Sequence, residues 1–320
     1  MTLSNLDLVN QIDALPNAAT HPEAFAKSIA GCARFVCGSH TVGYLLPIVR
    51  DALIVPALSG DWWDIQPGVI TLKGDTVEER TANMAKTTQQ WRQAKRFKIL
   101  DGWRNEQYTI YAPRGTPLFY MERSATPLFG VIAYGAHMTV YVPKTETTPM
   151  RLWVPRRAGG KSTYPNMLDN TVAGGMGDGQ TPFECIVKEA GEEASLSADY
   201  VRANARPCGT ISYFYVRHAD AGGEAGLLQP EVQYLYDMVV GDPDLGEGPV
   251  PAPCDSEVAE HMLLTVDEVK RELALGHFKP NCAAVVIDFF IRHGILDAEN
   301  EPELQEIYTR LHRRLEFPTR

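Results

Sequence analysis

The stretch Gly174–Leu196, GGMGDGQTPFECIVKEAGEEASL, constrains the fold more than any other. Thr181 and Glu184 have the T-x-x-E spacing of a capping box, and Pro182 falls at the first helical position. A helix is therefore predicted from Pro182 to Ala194. It starts directly after a loop carrying Gly174, Gly175, Gly177 and Gly179. At about 100° per residue, Phe183, Ile186, Val187, Ala190 and Ala194 share one stripe, and Glu189, Glu192 and Glu193 share its neighbour. Carboxylates at this spacing repel one another. Setting them beside an apolar stripe without cations is costly. Hard divalent cations bound through oxygen remove that cost, and Mg²⁺ is the usual partner where a substrate supplies phosphate oxygens. A solvated acidic face is the competing reading. The capped start, the glycine loop and the apolar stripe, occurring together, weigh against it.

Around this helix the chain alternates between strand-like and helical patterns from about residue 116. Leu118–Glu122, Val131–Val142, Leu152–Pro155, Thr210–Arg217, Val232–Val240 and His261–Thr265 are rich in branched and aromatic residues and are predicted strands. Asp267–Leu275 and Cys282–His293 are predicted helices, and Pro302–Leu315 a charged surface helix. The first hundred residues read as mixed and helix-rich. Thr76 and Glu79 form a second capping box, which starts a helix running to about Ala94 with Val77, Met84, Thr88 and Trp91 along one side. The fold class expected from this order is α/β: a mixed layered domain behind a smaller, partly helical one.

A chain of 320 residues suits roughly two domains of about 150 residues each. Its 30 basic and 40 acidic side chains give a net charge of −10, which argues against a general nucleic-acid binder. No run of about 18 apolar residues is present, so no membrane span is expected. Met1–Pro16 lacks a basic segment followed by an apolar one, so a secretory leader is not expected either. The six cysteines are scattered without a C-x-x-C pair, as in a protein with reduced thiols. A cytoplasmic protein, monomeric or homodimeric, is the expectation. His137, His261, His277 and His293 are too dispersed for a zinc site. Cys282 lies in an apolar run and reads as a core residue. Gly159–Thr163, GGKST, looks like the end of a phosphate-binding P-loop. However, Pro155 stands where the earlier glycine is needed, and Tyr164-Pro165 discourages the following helix.

The stretch Gly174–Leu196 resembles the Nudix box, G-x5-E-x7-R-E-u-x-E-E-x-G-u, where u is aliphatic. Gly174 takes the first glycine, Glu189, Glu192 and Glu193 take the three later glutamates, and Leu196 takes the last aliphatic position. Gln180 replaces the first glutamate, Lys188 the arginine and Ser195 the last glycine. Ala190 is small for its aliphatic position. The wider chain is similar to the Nudix proteins found fused to thiamine pyrophosphokinase in some fungi, and to their stand-alone relatives. The matching segments are Glu122–Val142, Leu152–Gly175, Pro230–Met238, Asp255–Val258 and Gly276–Gly294, with the ERTANMAKTTQQWR helix upstream. The resemblance implies a Nudix α/β/α sandwich with a mixed sheet over residues 129–297, a smaller α+β companion domain over 1–128 and a helical tail over 298–320. It also implies a Mg²⁺-dependent diphosphatase, with Mn²⁺ as a substitute. Its substrates would be thiamine diphosphate analogues, among them oxo- and oxythiamine diphosphate, released as monophosphates in a metabolite-repair role. Another nucleoside- or sugar-linked diphosphate, or a catalytically weak ligand-binding module, are the alternatives.

Diphosphate hydrolysis needs charge neutralisation and an aligned water. Glu189, Glu192 and Glu193 are assigned to metal binding, and the resemblance adds the carbonyl of Gly174. Those three glutamates, with Glu231 and Glu257, are also the candidate proton acceptors. Arg156, Arg157, Lys161 and Lys279 are candidate diphosphate ligands. Tyr164, Trp153 or Phe278 could stack on a flat cationic ring. The N-terminal region is expected to cover one side of the substrate cleft, since ligand sites favour domain interfaces.

Overall fold

In the computed structural model, residues 2–55 and 60–320 are described; Met1, at the head of the stretch read for a leader, lies outside them. Ser4 caps the first helix, α1 (Asn5–Ile12), through a reciprocal box with Asp7. α2 (Pro22–Ser28) follows. Then come β1 (Ala33–Cys37), β2 (His40–Leu45), α3 (Pro47–Ile54), β3 (Trp63–Gln66) and β4 (Val69–Leu72). The strands form a sheet in the order β2-β1-β4-β3, with β1 and β4 parallel. The α+β character expected for this region is present, but the sequence reading, mixed and helix-rich, placed none of these four strands. They are only four to six residues long, so alternation has little length in which to show.

α4 (Val77–Gln93) starts at the predicted Thr76 box and buries Met84, Thr87, Thr88 and Trp91. A hairpin of β5 (Gln107–Ala112) and β6 (Thr116–Glu122) leads into the short α5 (Thr126–Phe129). The ring of Phe129 stacks on both Trp63 (5.9 Å) and Trp91 (5.5 Å), at the centre of this core. Each such buried aromatic stabilises by roughly 1.5–3 kcal/mol.

The second sheet comprises β7 (Ala133–Val142), β8 (Arg151–Arg157), β9 (Val172–Gly175), β10 (Arg206–Val216), β11 (Leu228–Val239) and β12 (Val258–Thr265). Its order is β10-β11-β7-β8-β12, and β9 pairs with β7 off this path. The β11–β7 pair is parallel and the others antiparallel, so the sheet is mixed. The first half of β7 pairs with β9 and its last two residues with β8, so the sheet splays between those partners. Thr171 bridges the splay: its hydroxyl accepts from the amide of Val140 and donates to the carbonyl of Trp153.

Helices cover both faces. On one, Tyr134, Ala136, Met138 and Val140 of β7 pack with Cys185, Ile186, Ala190 and Ala194 of α6 (Pro182–Ala194), and with Val201 of α7 (Ala198–Asn204). On the other, β8, β10 and β11 pack with α1, α8 (Val266–Ala274), α9 (Pro280–Arg292) and α10 (Leu304–Leu311). α9 is buried without a break from Cys282 to Phe290. The result is an α/β/α sandwich behind an α+β region.

The tail differs from the surface helix expected for it. Ile307 and Leu311 are fully buried, and the buried Arg313 pairs with Asp13 at 3.0 Å. The charges that suggested a surface position occupy one side of α10 only. No helix among the described residues is long and apolar enough to cross a membrane. The six cysteines stand as free thiols.

Candidate active site

The glycine strand β9 and helix α6 set the site. Thr181 accepts from the amide of Glu184 at 3.2 Å, as the capping pattern requires. The reciprocal half of the box does not form, because the Glu184 carboxylate makes two 2.6 Å bonds to Arg202 of α7 instead. Gln180, in place of the motif's first glutamate, closes the glycine loop by accepting from the amide of Gly177 at 3.0 Å. The β5–β6 hairpin holds that loop from outside: Thr109 donates to Asp178 (3.0 Å) and the Asp178 amide to the carbonyl of Gln107 (2.8 Å). Ser195, in place of the last glycine, ends α6 with a left-handed φ of 55°.

Two of the three box glutamates turn toward β9. Glu189 lies over the backbone of Gly174, where an added Cβ would fall 2.3 Å from its Cγ. Burial raises its pKa. Glu193 accepts from the amide of Ala173 at 3.0 Å. Burial, with the negative charges of Asp169 and Glu189, pushes it up to about 8. Glu192 is 53% exposed and pairs with Lys188 at 3.0 Å, while Lys188 also reaches Glu189 at 3.3 Å. Among the described residues no three His, Cys, Asp or Glu side chains stand close enough to cage an ion. The donor chemistry nevertheless suits a hard divalent cation. It offers carboxylate oxygens in excess of local positive charge, on a buried acid that a cation would ionise.

A cavity of about 600 Å³ opens beside this strand. Its wall includes Ala173, Gly174 and Gly175, the backbone against which Glu189 and Glu193 pack. Lys279, Tyr164 and Glu231 line it as well. Tyr164 bonds the hydroxyl of Tyr215 at 2.6 Å. Glu231 is buried and accepts from Tyr213, Gln229 and Gln233.

The other candidates do not reach this wall. Arg156 and Arg157 are neighbours on β8, so their side chains leave on opposite faces. Arg156 pairs with Glu260 at 2.9 Å. Arg157 is buried, bonds Asp169 at 2.6 Å and holds the carbonyls of Thr163 and Tyr164, so it braces the loop bearing Tyr164. Lys161 pairs with Glu257. Burial raises Glu257, but the bond and charge from Lys161 outweigh this and hold it below the usual range. Trp153 and Phe278 are core side chains.

Sequence reasoning missed the cations that the N-terminal region contributes. Lys98, Arg104 and Arg123 line the cavity, together with Tyr108. Arg123 pairs with Glu106 at 2.9 Å, and its charge acts on Glu189. Tyr213 and Tyr215 on β10, Arg217 just past its end, and Gln229 and Gln233 on β11 were missed too. Their i, i+2, i+4 spacing, with polar groups on the inward face, was the available signal.

A glycine strand leading through a capped turn into a helix that carries paired glutamates matches the box pattern read from the sequence. The comparisons agree. Residues 135–282 match the NUDIX domain model, so this part of the chain is a Nudix domain. Residues 9–133 match a domain of unknown function, DUF4743. An uncharacterized protein of Saccharomyces cerevisiae is 40% identical over 222 residues, covering 68% of this chain and 63% of that protein. The chloroplastic Nudix hydrolase 20 of Arabidopsis thaliana is 35% identical over 218 residues, covering 68% of this chain and 54% of that protein. The aligned part thus spans less than two thirds of either relative.

Proposed function

We propose that the chain is a divalent-metal-dependent diphosphatase, and that its substrates are thiamine diphosphate and its oxo and oxythiamine analogues. The observation that carries this reading is a cavity of about 600 Å³, walled by the glycine strand of a Nudix domain and by cations from both parts of the chain. Lys98, Arg104, Arg123 and Lys279 would neutralise the diphosphate. Tyr108, Tyr164 and Tyr215 line the cavity and would contact a flat cationic ring. Glu189, Glu193 and the carbonyl of Gly174 would hold Mg²⁺ or Mn²⁺, with Glu192 joining them on release from Lys188. When bound, the ion supplies charge neutralisation at the phosphoryl oxygens. The proton of the attacking water would go to the carboxylate at this edge, Glu189. The thiamine assignment rests on the sequence resemblance; the aromatic wall is compatible with it.

The test is Mg²⁺-dependent phosphate release from oxythiamine diphosphate, thiamine diphosphate, ADP-ribose and a dinucleoside polyphosphate, with Glu193→Gln beside the wild type. Turnover of the thiamine compounds, lost in the variant, supports the reading. Turnover of the nucleotides alone keeps the diphosphatase and discards thiamine. No turnover of any of the four discards the enzyme.

A further inference from the structure

The floor of the cavity holds a polar group that the hydrolysis does not use. Glu231 is 8% exposed and lies in the wall. It accepts from the hydroxyl of Tyr213 and from the side-chain amides of Gln233 (2.8 Å) and Gln229. Arg217 donates to Gln229 at 2.7 Å and so orients that amide. Among the described residues no Lys, Arg or His pairs with Glu231 directly. A carboxylate offers about four lone-pair positions, and three are taken, so one acceptor position on Oε1 stays open.

A second acceptor stands beside it. Gln233 is 4% exposed, and its Oε1 is buried without a partner. The amide cannot turn round, because its Nε2 donates to Glu231 and to Tyr213 (3.1 Å). That Oε1 faces the backbone of Gly135, where an added Cβ would fall 2.2 Å away, and Gly135 is itself part of the wall. A buried acceptor left without a donor is destabilising. Gly135 closes off Gln233 Oε1, so the acceptor left for a ligand in this cavity is on Glu231, which Gln233 holds in place.

We propose that Glu231, positioned by Gln233, recognises an N–H on the edge of the substrate's heterocycle and thereby selects which diphosphates the protein accepts; this rests on the reading of the cavity as a diphosphate-substrate site. Glu231 is then a specificity residue and not the proton acceptor of the hydrolysis. Its donors fix the carboxylate in place, and a ligand N–H completes its set.

Calorimetric titration of the full chain tests this with separate probes for the two halves of the ligand. Thiamine, oxythiamine and cytidine report the ring, and inorganic pyrophosphate with Mg²⁺ reports the phosphates. Glu231→Gln is expected to weaken ring binding about tenfold or more and to leave pyrophosphate within about twofold. Gln233→Leu keeps the carboxylate but removes one of its three donors, and is expected to move the same way by a smaller factor; it decides the matter if Glu231→Gln does not fold. Equal losses on both kinds of probe, or no loss on the ring probes, would overturn the proposal. So would a wild type that binds none of the three ring compounds. Cytidine binding that depends on Glu231, without thiamine or oxythiamine binding, would discard thiamine and keep this inference. Ring binding that depends on Glu231 in a protein releasing no phosphate would discard the diphosphatase alone.

Discussion

The hydroxyl of Tyr108 occupies the space that a side chain at residue 175 would take: a Cβ on Gly175 would fall 1.7 Å from that oxygen. Tyr108 belongs to the β5–β6 hairpin and Gly175 to β9 of the Nudix domain, so the two regions meet at the site with no gap. Gly175→Ala is expected to cost about 1–3 kcal/mol by overpacking. The same change in a Tyr108→Phe background should cost measurably less, because the closest atom is then gone. Thermal unfolding of the four proteins gives the coupling. Additive costs would mean that the contact is not tight.

Ser195 tests the motif from the opposite side. Its φ of 55° lies in the left-handed region, where a residue with a Cβ is strained. Ser195→Gly should stabilise the protein by about 0.5–1 kcal/mol, after allowing for glycine's greater freedom when unfolded. A denaturant midpoint that stays put or falls would contradict this.

Glu193 gives a pH signature. Its folded pKa of about 8 lies above the value of about 4.3 for a free glutamate. Between those values the folded state holds a proton that the unfolded state has lost, so metal-free stability should fall as pH rises across that window. Glu193→Gln should flatten the decline, and Mg²⁺ should restore stability at the alkaline end. Melting temperatures at pH 5 and pH 8.5, with and without Mg²⁺, measure this.

Asp237 behaves in the opposite sense. Burial raises it, but the bonds from His293 (2.9 Å) and Arg292 (2.5 Å), and the charge of Arg292, bring it below its ordinary value. Its stabilisation is therefore full above the unfolded pKa and is lost as pH falls through the folded one. Asp237→Asn should cost about 3 kcal/mol at pH 7, because it leaves Arg292 half-partnered. The gap from wild type should close in acid. Urea unfolding at pH 7 and pH 3 reads both, and a constant gap would exclude the ion pair as its cause.

Arg123 links the N-terminal region to turnover. Arg123→Met should raise KM for a diphosphate substrate about tenfold or more, through loss of a charge-assisted bond. Steady-state kinetics decide; an unchanged KM and kcat would place Arg123 outside the substrate site. Deleting the N-terminal region is a poorer test, because Leu8, Val9 and Ile12 of α1 belong to the core of the sandwich.

Much of the site was legible because its signals are local. Helix α6 runs from Pro182 to Ala194 as the cap and the period required. The position of Glu189 and Glu193 beside an apolar stripe follows from helical geometry. The departure of Glu192 toward Lys188 does not, since an i, i+4 ion pair and a metal site share the same spacing. Arg157 appeared to be a phosphate ligand because its buried partner, Asp169, lies on a segment whose approach the sequence does not encode locally.

The sequence by itself determined the helix with its caps, the alternation of strands and helices after residue 116, and the family resemblance. The first two arise from contacts within a few residues, and the third from residue identities along the chain. The tertiary structure decided what the cavity contains. The antiparallel register sets Tyr213 opposite Glu231 and Tyr215 opposite Gln229. The packing of the first region against β9 brings Tyr108 and Arg123 to Gly175. Those juxtapositions depend on strand register and on core packing between segments far apart in the chain, and no local pattern of residues carries that information.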